Sequence, residues 1–363
     1  VTLHQHGGRV YDYARALGVP LHDIMDFSAN INPLGPPDSV MKAVLRALDE
    51  IRHYPDASAR AVKTVLVRKY GVAPAQLLCG NGASEVLDLL FRAILPRRTF
   101  VLEPAFSEYR AAAHRSASVV KSVPLPLESG GSLPLAEIDR QVRAGDMVVI
   151  NNPHNPTGKV WPRTQWHPWV VDWNRRGVFV LFDESFIDFL PEPLPYTALP
   201  EAARLDHLLV VRSATKMYAI PGLRFGFAVG AAPLFAKIER ERDGWSVNHL
   251  AQAAAAAAYQ DTDFERKTWA WLAAAHQQVG TFWRGRPEVA FFPPSVNYFL
   301  VKFQDMQCSG RIQTGLRRLG MFVRPCSDFA HLDGRYIRIA IRSPEENHRL
   351  QEAVLTLLLG QDA

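Results

Sequence analysis

Cysteine is scarce. The 363 residues hold three, Cys79, Cys308 and Cys326. No metal-type spacing links them, so neither a thiolate metal site nor a disulfide framework is implied, and a reducing compartment is expected. Long hydrophobic runs are missing as well. The most monotonous apolar stretch, Ala251 to Tyr259, is too short and too alanine-rich to span a bilayer. No charged-then-apolar leader opens the chain, so a cytoplasmic location without membrane association is expected. Neither sign of charge dominates: 41 Lys and Arg face 36 Asp and Glu, a net charge of +5. The excess forms no basic stripe, which speaks against a nucleic-acid partner and suits a small anionic ligand. No Rossmann glycine fingerprint follows the first strand of the alternating region, so dinucleotide binding is not supported. Internal repeats and low-complexity linkers are lacking too.

What is present is a pattern of short apolar runs alternating with amphipathic helices. Strands are expected at Thr99–Leu102, Val119–Val123, Met147–Asn151, Val178–Phe182, Leu208–Arg212 and Phe225–Val229. Helices are expected at Ala59–Tyr70, Ala105–Arg115 and Trp166–Arg176, and a further helix capped by Asp38 or Ser39 has the apolar face Val40, Met41, Val44, Leu45 and Leu48. Strands alternating with helices predict an α/β fold, a sheet covered on both faces. From about residue 232 helices dominate, at Pro233–Asp243, Leu250–Gln260 and Phe264–Thr281. Strands at Val289–Phe292, Asn297–Lys302, Met321–Arg324 and Tyr336–Ile341 and helices at Arg311–Leu319 and Pro344–Leu359 complete a smaller α+β unit. The expected division is an irregular arm at 1–35, a large domain at 36–235 and a small domain at 236–363.

Chemistry-bearing residues collect where strands run out into loops, the end at which open α/β sheets bind ligands. After the run Leu208–Val211 come Ser213, Lys216 and Arg224. A lysine there can join a carbonyl compound as an imine, and a serine and an arginine can hold a phosphate. Gly80-Asn81-Gly82-Ala83-Ser84 opens directly into a helix. Free N–H groups and the positive end of the helix dipole make that turn a second phosphate cradle. Asn151-Asn152-Pro153-His154-Asn155-Pro156-Thr157-Gly158 leaves another strand, and Asp183-Glu184-Ser185-Phe186 a third.

This combination resembles the pyridoxal 5'-phosphate (PLP) enzymes of the aspartate-aminotransferase fold, fold type I, over essentially the whole chain. The resemblance implies a mostly parallel seven-stranded sheet in the large domain. It implies that Lys216 is joined to the cofactor aldehyde, that Asp183 pairs with the pyridine nitrogen and that Asn155 meets the phenolic oxygen. Ser213, Arg224 and Gly82-Ala83-Ser84 would bind the cofactor phosphate, and Phe106 would stack on its ring. Tyr54 is similar to a tyrosine that reaches the phosphate of a neighbouring subunit, which implies a homodimer with shared sites. No metal is implied.

Within the fold, Ser28-Ala29-Asn30-Ile31-Asn32-Pro33, Tyr54-Pro55-Asp56 and Arg338-Ile339-Ala340 are similar to the histidinol-phosphate aminotransferases. His6-Gly7-Gly8, Asp26-Phe27-Ser28, Phe186-Ile187-Asp188-Phe189, Trp245-Ser246-Val247-Asn248 and Ile341-Arg342-Ser343 look more like their decarboxylating relatives, the threonine-phosphate decarboxylases of cobalamin assembly. Phe186 stands where the aminotransferases carry a tyrosine. The resemblance implies a small phosphorylated amino acid as substrate, threonine phosphate or serine phosphate. His6, Arg324, Arg338 and Arg342 are the candidate anion holders, assisted by the backbone at Ala29 and Asn30. Two alternatives stand beside decarboxylation: transamination of histidinol phosphate, and a non-catalytic ligand-binding module of the same fold.

Overall fold

The computed structural model describes residues 7–128 and 131–360. In chain order its strands are β1 (Met25–Asp26), β2 (Leu77–Gly80), β3 (Arg98–Glu103), β4 (Val119–Pro124), β5 (Met147–Asn151), β6 (Phe179–Asp183), β7 (Leu208–Ser213), β8 (Gly226–Val229), β9 (Val289–Phe292), β10 (Tyr298–Phe303), β11 (Met321–Phe322), β12 (Arg324–Pro325) and β13 (Tyr336–Ala340). Seven form one sheet in the order β2-β8-β7-β6-β5-β3-β4. Only β8 runs against its neighbours, so β2 to β7 all end at the same edge.

The apolar runs are continuous because both faces of this sheet are covered. Alternate side chains serve opposite layers. Leu181, Leu209 and Val211 pack with Leu87, Leu90 and Phe91 of the helix Ala83–Ile94 on one side. Phe182, Leu208 and Val210 pack with Trp166, Val170 and Trp173 of the helix Arg163–Arg175 on the other.

A second sheet, antiparallel in the order β12-β13-β10-β9, occupies the C-terminal part. The N-terminal segment is stitched to it. β1 pairs with β11, and Ala340 donates its N–H to the Phe27 carbonyl at 2.8 Å. Residues 25–30 thereby form one wall over the edge of the large sheet.

The structure corrects several expected elements. Val10–Leu17 is a helix where an irregular arm was expected, and Leu135–Gln141 is an unforeseen one. The helix after Pro104 starts at Glu108, which leaves Phe106 on the loop. The expected strand Met321–Arg324 splits, since β11 pairs with β1 and β12 pairs with β13. In the helix Asp38–Ala47, Val40 and Ala47 are buried, whereas Met41 and Leu45 are exposed, as is Leu48 just beyond it. No helix among the described residues is long and apolar enough to cross a membrane.

Candidate active site

The strand ends and the N-terminal wall enclose a cavity of about 270 Å³. Lys216 lies on its lining. Strand β7 is buried throughout, and Ser213 ends it by capping the short helix Ala214–Met217, its Oγ accepting from the Thr215 N–H at 3.3 Å. Asn32 fixes this helix from outside. Its N–H donates to the Lys216 carbonyl at 3.1 Å, and its Nδ2 donates to the Met217 carbonyl and to Thr268, each at 2.8 Å.

The Lys216 side chain is half-buried, and no hydrogen bond or ion pair to it is made among the described residues. Burial, with Arg338 and Arg224 nearby, lowers its pKa to about 8, against the opposing pull of Asp183. A measurable consequence follows for the cofactor-free protein. Labelling of Lys216 by an amine-acylating reagent is expected to reach half its maximal rate near pH 8, where ordinary lysines require about 10.5. Mass-spectrometric labelling across pH 6–11 checks this; a midpoint at or above 10 would contradict it.

Asp183 is the last residue of β6 and is buried. Its Oδ2 accepts from the Tyr109 hydroxyl at 2.6 Å and its Oδ1 from the Ser185 N–H at 2.9 Å. Phe106 lines the cavity with its ring edge-on to Tyr109, centroids 5.8 Å apart. Asn151 ties two loops together, accepting from the Asn155 N–H at 2.7 Å and donating to the Asp183 carbonyl at 2.9 Å.

Across the cavity, Arg338 of β13 is buried. It donates to Asn155 Oδ1 at 2.6 Å and to the Ser28 carbonyl at 2.7 Å, and its Nε has no partner. Burial and the adjacent Arg324 bring its pKa down to about 10. Ala29 and Asn30 line the wall beside it, and the buried Asn30 Oδ1 also lacks a partner.

The phosphate cradle depends on close approach. Gly82 has φ +84°, a conformation that favours glycine, and a Cβ there would lie 2.6 Å from Arg224 Nη2 and push the guanidinium from the start of the helix Ala83–Ile94. Ala83, Ser84, Ser213 and Arg224 all line the cavity there. Arg224 makes only a 3.4 Å bond to the Pro221 carbonyl and has no carboxylate partner among the described residues. This uncompensated cation at a helix N-terminus is built for an anion.

His154 braces the site from behind. A carbonyl only accepts, so Nε2 carries the proton toward the Pro104 oxygen at 2.8 Å, and Nδ1 accepts from Thr157 at 2.7 Å. Burial lowers its pKa from 6.5 to about 4. Protonation is thus favoured by the unfolded chain. This contribution to stability is complete above pH 6.5 and is lost as pH falls from 6.5 toward 4, at up to about 1.4 kcal/mol per pH unit. Denaturant titrations at pH 4.5 and 7 are expected to show a smaller acid-induced loss in His154→Gln than in the unmodified protein. Equal losses would contradict this.

Two expected site residues, Tyr54 and Arg342, do not line this cavity, and for Tyr54 the expected place was the neighbouring subunit's site. Tyr54 is exposed, stacked on Trp245 with centroids 4.5 Å apart, and does not line this chain's own cavity. Arg342 does not reach the cavity either. Strand β13 ends at Ala340, and Arg342 is drawn away by Glu346 at 2.7 Å and the Asp26 carbonyl at 3.1 Å. His6 lies outside the described residues. Gly8, within the described residues, donates its N–H to Ser28 Oγ at 2.9 Å. Sequence reasoning gave no role to Tyr109, Asn32 and Asn151, although Asn32 and Asn151 stand within the motifs quoted above and Tyr109 follows Phe106 by three residues.

Residues 22–354 match the family model described as aminotransferase class I and II. The chain belongs to this family. A threonine-phosphate decarboxylase from Salmonella typhimurium is 33% identical, over 98% of this chain and 97% of its own. A histidinol-phosphate aminotransferase from Ralstonia nicotianae is 32% identical, over 98% and 95%. The crystal structure of histidinol-phosphate aminotransferase from Sinorhizobium meliloti, in complex with pyridoxal 5'-phosphate, superimposes with a TM-score of 0.83 at 21% identity, covering 99% of this chain and 96% of that one. This aminotransferase-family chain is accordingly an enzyme of the type I PLP fold, and PLP is its cofactor. The residues present fit that group: a lysine whose amine makes no hydrogen bond or ion pair among the described residues, an arginine without a carboxylate partner among them at a helix start, and a buried carboxylate with an aromatic ring nearby.

Proposed function

We propose that the protein decarboxylates a short amino acid bearing a side-chain phosphate, L-threonine O-3-phosphate foremost, to give 1-amino-2-propanol phosphate. The observation that carries this reading is Phe186. It is buried, lines the cavity and meets Tyr298 edge-on, centroids 4.8 Å apart. The Tyr298 hydroxyl is committed to the His154 carbonyl at 3.1 Å. No hydroxyl is therefore offered at the position where the similar transaminases carry a tyrosine, which favours a chemistry other than theirs.

In this reading Lys216 is the covalent attachment point and Asp183 the partner of the ring nitrogen. Ser213, Arg224 and the Gly82-Ala83-Ser84 turn hold the cofactor phosphate, Phe106 covers the ring and Asn155 serves the phenolic oxygen. When bound, PLP supplies an electron sink for the bond pair released from the α-carbon. The chain's own residues decide which bond breaks. Arg324 and Arg338 would anchor the anionic ends, with Ala29 and Asn30 lining the wall and His6 a further candidate, so that remote binding energy would fix the orientation of the substrate carboxylate. Lys216 Nζ, with its lowered pKa, exchanges a proton near neutrality and delivers it to the carbon that loses carbon dioxide.

The proposal includes a homodimer. Met41, Leu45, Leu48, Ile51 and Tyr54 form a run of exposed apolar side chains near Trp245, a surface suited to a second copy of the chain. It also includes the division into an arm, a large domain and a small domain near residues 35 and 235.

Turnover of phosphothreonine in D₂O tests the reaction type. The expected product is an amine phosphate with one deuterium on the carbon that held the carboxylate. A keto acid product formed only with 2-oxoglutarate present, or turnover of histidinol phosphate in its place, would favour the aminotransferase reading.

A further inference from the structure

We propose that Asp328 is a specificity-determining residue: its carboxylate holds Arg324 in reserve until a ligand with two separated anionic groups displaces it. This deepens the substrate class proposed above and rests on that reading.

Arg324 and Arg338 are directly opposed on the antiparallel pair β12 and β13, and both line the cavity. Their compensation differs. Arg338 is held by two neutral acceptors and has no carboxylate partner among the described residues. Arg324 donates through Nη2 to Asp328 Oδ2 at 2.7 Å, with its guanidinium 5.1 Å from the Phe329 ring centre and Nη1 on the Pro325 carbonyl. Asp328 lines the same cavity, and its side chain is 38% exposed where that of Arg324 is 9% exposed. A carboxylate facing a cavity meant for a carboxylate and a phosphate repels both unless it turns away.

The backbone around Asp328 is tied on both sides, so a side-chain rotation suffices for release. The Cys326 N–H donates to the Tyr336 carbonyl at 2.9 Å and the Phe329 N–H to the Cys326 carbonyl at 3.0 Å. Further along, His331 Nε2 meets Ser122 of the large sheet at 2.8 Å. A ligand with one anionic group is satisfied by Arg338 alone and leaves the Arg324–Asp328 pair closed. A ligand with two reaches Arg324 as well and exchanges one charge-assisted bond for another. The acid thereby keeps a simple anion from holding both arginines at once.

Calorimetric titration of the PLP-loaded enzyme with inorganic phosphate tests this with no need for turnover. Asp328→Asn is expected to bind inorganic phosphate about tenfold more tightly, as removal of a competing charge implies. Adding Arg324→Gln to that variant is expected to abolish the gain. Unchanged or weaker phosphate binding in Asp328→Asn would overturn the proposal, since the acid would then be positioning Arg324. Failure of the decarboxylase reading registers separately, as absence of carbon dioxide from phosphothreonine in the unmodified enzyme.

Discussion

Alanine at position 216 is expected to reduce turnover by about 10³-fold or more, because in the proposed function one side chain is both covalent anchor and proton carrier. The fold is expected to survive. The helix carrying Lys216 is held by Ser213 and Asn32 through contacts that do not involve the amine. Circular dichroism and thermal melting are therefore expected to match the unmodified protein, while absorbance near 400–430 nm, about where imines of this cofactor absorb, is expected to vanish. Retained turnover in a colourless, folded Lys216→Ala variant would remove the catalytic assignment.

The second large effect is expected at Arg338. Its buried guanidinium has an unpaired Nε and two neutral acceptors, so its charge is available to a substrate anion. Arg338→Gln is expected to lower kcat/KM for phosphothreonine by about 10²–10³-fold, equivalent to about 3–4 kcal/mol, within the range for losing a desolvated charge pair. Arg324→Gln is expected to cost less, since its charge is already shared with Asp328. The same Arg338 variant is expected to move the Lys216 labelling midpoint upward, because Arg338 helps to depress that pKa. An unchanged midpoint together with unchanged kcat/KM would show that Arg338 faces neither the lysine nor the substrate.

The buried parallel strands were legible because covered strands read as unbroken apolar runs, as in Leu208–Val211 and Val180–Phe182. The loops after them were legible because an acid, an amide or a lysine directly after such a run has few places to go. Partners distant in sequence left no such trace. Tyr109 lies 74 positions from Asp183, and Asn32 lies 185 from Met217 and 236 from Thr268. Arg342 misled for a local reason. It shares the alternation of Arg338, yet β13 has ended by then, and the capping box of the next helix, with Ser343 and Glu346, draws the arginine away. Met41 and Leu45 show another limit. An apolar helix stripe has the same spacing whether it is buried in a core or left exposed.

The most direct test of the account is carbon dioxide release from phosphothreonine by the PLP-loaded enzyme with no keto acid present. The account predicts many turnovers, each yielding one carbon dioxide and one amine phosphate. A reaction that stops after a single turnover until 2-oxoglutarate is added would contradict it.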